Sequence, residues 1–275
     1  MRPARLRLPA LAAATALLLP LTGCGAGGDP PGPAATAAGT GRTATRHLTV
    51  VGLGDSVPSG EACHCTDYVH LYAAGVQQAT GSPTQALDEA VPGLDSAGLL
   101  RQLNGATAAS NAVARADLIT VTIGANDFVD AQEQSAAGTC GGKDGLDCFR
   151  ARLPALRTNL DAVLRRIHEL VDSRAVAVRV TNYWNVFDDG QVAARSRSTD
   201  YLRDSDHLTL LVDNVICAAA TAAHVPCVDL YAPFKGADGA EDPTKLLAGD
   251  GDHPNAAGHA AIARALEAVG YAPVT

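Results

Sequence analysis

Basic residues are in short supply in this chain of 275: 21 Lys and Arg stand against 29 acids, a net charge of -8. No basic run interleaved with aromatics occurs in the body of the chain, which excludes a nucleic-acid partner. A membrane-spanning segment is also missing, because the apolar stretch Leu8 to Leu21 is too short to cross a bilayer comfortably. Three catalytic or nucleotide-binding signatures fail around Gly52-Leu53-Gly54-Asp55-Ser56. A dinucleotide fingerprint needs glycine where Val57 sits, a P-loop needs a lysine that is absent, and the Gly-x-Ser-x-Gly elbow needs glycine where Pro58 sits. Cys63-His64-Cys65 has no second ligand pair of matching spacing, so neither a metal nor a cofactor is expected. No internal repeat is present.

What is there is a globular chain with an export signature. With 47% hydrophobic and 18% charged residues it can build one domain with a substantial core. Met1 to Arg7 carries three arginines and no acid, and small residues end the apolar run at Leu21-Thr22-Gly23-Cys24. This pattern predicts a cleaved signal over residues 1–23. The tetrapeptide resembles a bacterial lipobox, which implies that Cys24 carries a diacylglyceryl group and anchors the protein at the outer face of the cell membrane. An ordinary signal with an incidental Cys24 is the alternative, and the product is then extracellular. Cleavage before Cys24 leaves 252 residues with 18 basic and 29 acidic side chains, a net charge of -11. Residues 24–46 are Gly, Pro, Ala and Thr with almost no large apolar residue, and read as a tether reaching on the order of 25 Å. The folded domain is expected over 47–275.

Six cysteines follow Cys24, an even number in an exported chain, and this argues for disulfides. Proximity suggests Cys140 with Cys148 and Cys217 with Cys227, leaving Cys63 and Cys65 to each other. The sequence alone leaves the connectivity open.

Strand and helix patterns alternate about five times. Apolar runs at Leu48–Leu53, Asp117–Ile123, Ala175–Val180 and Val225–Tyr231 read as buried strands, with a weaker one at Gln85–Val91. Asp67 is placed to cap a helix whose apolar face is Tyr68, Tyr72, Val76 and Ala79, closed by Gly81. Helices are also predicted from Ser96 to Leu103, along Leu153 to Leu170, along Leu208 to Ala219, and from Asn255 to Val269. The alternation implies an α/β domain, a three-layer α/β/α sandwich on a parallel, flavodoxin-like five-stranded sheet. Reactive groups in such sheets gather at the carboxyl ends of the strands.

Three polar clusters fall at those ends: Gly54-Asp55-Ser56, Gly124-Ala125-Asn126-Asp127, and Asp250-Gly251-Asp252-His253. In this order and at these positions they resemble the blocks of the SGNH hydrolase superfamily, the GDSL esterases and lipases. The resemblance runs from about Leu48 to Val269. It implies a serine hydrolase in which Ser56 attacks an ester carbonyl, His253 takes its proton and Asp250 orients the imidazole. Histidine suits this work because its ordinary pKa is about 6.5. Asp252 is the rival orienter. The resemblance also implies an oxyanion hole from the Ser56 backbone N–H, the Asn126 amide and a glycine N–H. Gly93 fits that glycine by its place before a helix; Gly105 is the rival, although it sits where a helix should end.

The expected protein is a secreted or membrane-tethered, monomeric serine esterase or lipase working through an acyl-enzyme. Two other readings remain: a glycan O-deacetylase of the same fold, and a non-catalytic lipoprotein that binds a ligand in the cleft. Tyr183 and Trp184 are read as pocket lining or core, Asp127 as a loop brace, and His64, His70, His168, His207, His224 and His259 as surface or satisfied residues.

Overall fold

A computed structural model of the chain describes residues 46–185 and 187–274. The expected signal over 1–23, the expected lipid acceptor Cys24 and all of the expected tether except Arg46 lie outside the described residues. The elements follow in the order β1 (Leu48–Gly54), α1 (Tyr68–Thr80), β2 (Thr84–Asp88), α2 (Ser96–Asn104), α3 (Ala108–Val113), β3 (Leu118–Thr122), α4 (Val129–Ala136), α5 (Asp147–Arg150), α6 (Leu153–Val171), β4 (Ala177–Thr181), α7 (Gly190–Ser196), α8 (Thr199–Ala222), β5 (Cys227–Val228), α9 (Tyr231–Lys235) and α10 (Ala256–Ala268).

All strand pairs are parallel and the sheet order is β2-β1-β3-β4-β5, the flavodoxin-like arrangement expected. Every residue of β3 and β4 is buried, because helices cover both faces. The helices form two sets: α1 packs on α10, while α2, α6 and α8 pack in series. No described helix is long and apolar enough to cross a membrane.

The local signals act where the sequence puts them. The Asp67 side chain accepts the His70 N–H at the start of α1, and Gly81 closes it in the left-handed conformation at φ 68°. Pro154 stands in the first turn of α6, whose face of Leu156, Leu160, Val163, Leu164 and Ile167 is buried. Ala79 is exposed, so the buried face of α1 ends at Val76. The last strand is also shorter than its apolar run. Asp229 accepts the Tyr231 N–H and Ala232 N–H, which starts α9 and stops β5 after two residues.

Among the described residues, disulfides join Cys63 to Cys65, Cys140 to Cys148 and Cys217 to Cys227.

Two glycines set the carboxyl edge of the sheet. Gly54 ends β1 at φ 136°, and a Cβ there would lie 1.8 Å from the Thr122 carbonyl oxygen on β3. Only glycine lets the two strand ends approach so closely. Gly124 follows β3 at φ 137° and turns the chain into a short 3-10 helix, Ala125–Phe128. The segments after β1 and β3 therefore leave the sheet side by side.

Candidate active site

Ser56 lies directly past Gly54, and its hydroxyl is 2.8 Å from His253 Nε2. His253 Nδ1 is 2.8 Å from Asp250 Oδ2. A carboxylate only accepts, so Nδ1 carries the hydrogen and Nε2 is left as acceptor of the Ser56 hydroxyl. Asp252 stands farther off, 3.9 Å from Nδ1. The geometry therefore brings together Ser56, His253 and Asp250, with Asp252 as a nearby charge.

Each side chain is held by its own loop. Asp250 Oδ1 accepts the N–H groups of Asp252 and His253, both at 3.1 Å. The turn closes with Ala248 N–H to the His253 carbonyl at 2.7 Å, and Asn255 caps α10 immediately after. Beneath Ser56, Asp55 is 1% exposed and accepts the Val57 N–H at 3.0 Å and the Tyr183 hydroxyl. Tyr183 comes from the segment after β4, and its own N–H goes to Asp213 Oδ1 at 3.0 Å.

The electrostatics follow from burial and these contacts. Burial works against the charge of Asp250, yet hydrogen bonds from the Asp252 N–H and from His253 outweigh it and hold its pKa below the usual carboxylate value. Burial likewise opposes the imidazolium of His253. The charge of Asp252, the bond to Asp250 and the charge of Glu61 together lift its pKa above the usual 6.5. Burial pushes Asp55 up to about 7 against the bonds from Tyr183 and Val57, and pushes Tyr183 well above its ordinary value.

A cleft of about 390 Å³ opens over Ser56 and His253, lined also by Gly93, Asn126, Trp184 and Glu61. The N–H groups of Ser56 and Gly93 donate to no acceptor among the described residues. Asn126 Nδ2 gives one hydrogen to the Leu94 carbonyl at 3.1 Å and keeps a second. Three donors are thus unspent around one cleft. Gly105 is elsewhere occupied: it ends α2, and its N–H bonds the Arg101 carbonyl at 3.1 Å. Asp127 braces the same cleft from outside, accepting the N–H and hydroxyl of Ser96 at the start of α2. That ties the Asn126 turn to the loop carrying Gly93.

Of the residues with open readings, Tyr183 and Trp184 are both, at 1% exposure, core residues as well as cleft wall, with Trp184 stacked on Phe234 at 4.3 Å. His259 is fully buried, and its Nδ1 accepts the Tyr68 N–H at 3.2 Å. Donor atoms of His259, Cys63 and Cys65 lie within 4.8 Å of one another. They do not suit a metal: both sulfurs are spent in a disulfide, and with Nδ1 accepting, Nε2 is the protonated nitrogen. Sequence reasoning missed Glu61 and the bond from Tyr183 to Asp55. No spacing rule links residues 128 positions apart.

Comparison with known proteins places the chain in a family. The GDSL-like Lipase/Acylhydrolase family matches residues 53–261. No curated protein matches the chain. Among solved structures, a lipase from a goat rumen metagenome superposes with a TM-score of 0.67 at 22% identity, covering 83% of this chain and 100% of its own. An acetylxylan esterase from Geobacillus stearothermophilus gives 0.55 at 18% identity, covering 80% and 93%. A phospholipase A1 from Streptomyces albidoflavus gives 0.55 at 19% identity, covering 80% and 98%. The chain belongs to the GDSL-like lipase/acylhydrolase family, within the SGNH superfamily. It is an ester-hydrolysing enzyme with the family's α/β/α fold.

Proposed function

We propose that the protein is an exported serine esterase that cleaves carboxylic esters through an acyl-enzyme on Ser56. His253 Nε2 takes the hydroxyl proton as Ser56 Oγ bonds the carbonyl carbon, then returns it to the departing alcohol oxygen. Water, activated by the same nitrogen, then releases the acid. Asp250 holds the Nδ1–H tautomer and stabilises the imidazolium. The N–H groups of Ser56 and Gly93 and the Asn126 amide receive the negative oxygen of the tetrahedral intermediate, each donor worth roughly 3 to 4 kcal/mol in such sites. The observation that carries this reading is the pair of 2.8 Å contacts from Ser56 to His253 to Asp250 beside three unspent donors.

The arginine-led apolar segment and the Leu21-Thr22-Gly23-Cys24 sequence support export and lipid attachment at Cys24, with residues 24–46 as tether and 47–275 as the catalytic domain. A cleft of about 390 Å³ favours a short acyl group over a long one. The same small cleft favours, as a second reading, removal of acetyl groups from a glycan.

The test is hydrolysis of p-nitrophenyl esters from acetyl to palmitoyl by the mature domain beside Ser56→Ala. We expect Ser56→Ala to lose about 10⁴-fold or more in kcat, with the acetyl and butyryl esters turned over fastest by the wild type. Equal turnover by the variant removes the serine mechanism. Serine-dependent turnover that rises with chain length removes the short-acyl reading alone.

A further inference from the structure

The reaction gives the cleft a direction. His253 Nε2 hands its proton to the departing alcohol oxygen, so groups beside Nε2 and away from the oxyanion donors face the alcohol part of the ester. Glu61 stands beside Nε2: its Oε2 is 3.9 Å from His253 Nε2, and it lines the cleft.

Its position is built by the nucleophile loop. The Glu61 N–H donates to the Ser56 carbonyl at 3.2 Å, and Cys63 N–H donates to the Gly60 carbonyl at 3.3 Å, where the Cys63–Cys65 disulfide closes the turn. The backbone bearing Glu61 is thus fastened to the residue that attacks the ester. Its carboxylate accepts no hydrogen bond from any described residue, and no Lys or Arg is among the described residues lining the cleft. The carboxylate is half-exposed and uncompensated, save for the imidazole, at the place the alcohol leaves.

We infer that Glu61 determines the alcohol selectivity of the enzyme, favouring esters whose alcohol carries a positive charge, amino-alcohol esters of the choline type, over neutral esters of the same shape. The inference rests on the reading of Ser56 and His253 as nucleophile and base. An ammonium two carbons from the ester oxygen reaches the neighbourhood of Oε2 while the carbonyl oxygen stays among the three donors. Attraction at such a distance, in a partly solvated cleft, strengthens in the transition state because the leaving oxygen is fixed at Nε2.

The experiment compares kcat/KM for acetylcholine and its uncharged isostere 3,3-dimethylbutyl acetate, followed by acid release at low ionic strength. The wild type is expected to favour the cation by about 5- to 20-fold, a ratio that shrinks as salt is added. Glu61→Gln should lower the ratio at least about threefold, the remainder belonging to Asp252, the other half-exposed carboxylate on the cleft wall, and Glu61→Lys should lower it further. Because each ratio is internal to one enzyme, a general loss of activity in a variant does not disturb the reading. A wild-type ratio at or below one overturns the inference, as does an unchanged ratio in Glu61→Gln. Turnover of either ester by Ser56→Ala at the wild-type rate overturns the serine mechanism itself, so the two failures are distinguishable.

Discussion

The loop that carries Ser56 and the loop that carries His253 meet at one hydrogen bond, yet they are held in opposite ways. Ser56 is fixed from beneath by groups distant in the chain: Gly54 against the Thr122 carbonyl, and Asp55 against the Tyr183 hydroxyl. His253 is fixed by its neighbours, through Asp250 Oδ1, the Ala248 N–H and the cap at Asn255. One loop is part of the core; the other is bonded mostly within itself, with one tie outward, from the Asp189 N–H to the Gly251 carbonyl at 2.8 Å. Damage to the first should therefore cost fold and activity together, and damage to the second should cost activity alone.

The largest effect is expected at Gly54. A Cβ 1.8 Å from a backbone oxygen cannot be relieved by a side-chain rotation, so Gly54→Ala must separate β1 from β3. We expect a loss of roughly 3 kcal/mol or more of stability in denaturant unfolding, with activity falling in step. A variant that unfolds at the wild-type midpoint breaks the comparison at its strongest point.

Asp250→Asn tests the other loop. An amide cannot enforce the Nδ1–H tautomer, so kcat is expected to fall by about 10²- to 10⁴-fold while the melting temperature stays close to that of the wild type. A melting temperature that drops as far as that of a core variant would show the base loop to be structural after all.

Tyr183→Phe sharpens the comparison, since it keeps the ring and removes only the hydroxyl that Asp55 accepts. The expected cost is about 1 to 2 kcal/mol of stability together with roughly a tenfold fall in kcat and little change in KM. A change in one without the other would separate the support of Ser56 from the core.

The smallest effect is a shift on the pH axis. In the proposed mechanism His253 must be neutral to accept the serine proton, and its raised pKa then places the acid limb of kcat/KM above the ordinary 6.5. The charge of Asp252 is the leading cause of that rise, so Asp252→Asn should move the limb to lower pH without disturbing the fold. An unmoved limb would assign the rise to Asp250 and Glu61 alone.

The same contrast explains what the sequence disclosed. The His253 loop is bonded mostly within itself, so Asp250 and His253 are legible as a short string, and the preference for Asp250 over Asp252 rests on that string's resemblance to the family's block. Helix caps at Asp67 and Gly81 were legible for the same reason. The support of the nucleophile was not, because Tyr183 reaches Asp55 from another strand and its phenol resembles any buried aromatic in the sequence. Gly93 and Gly105 were separable only when one N–H proved spent on Arg101 and the other free in the cleft. Short helices such as α7 and α9 lacked a long enough period to be read, and the end of β5 was set by the side-chain bonds of Asp229 rather than by hydrophobicity.

The central claim is that Ser56 is a nucleophile made reactive by His253. It is tested most directly by reacting the mature domain with a fluorophosphonate and locating the adduct by peptide mass spectrometry. The account predicts one adduct per chain, on Ser56, formed far more slowly in His253→Ala. An adduct on another residue, or labelling of Ser56 at the same rate without His253, would contradict it.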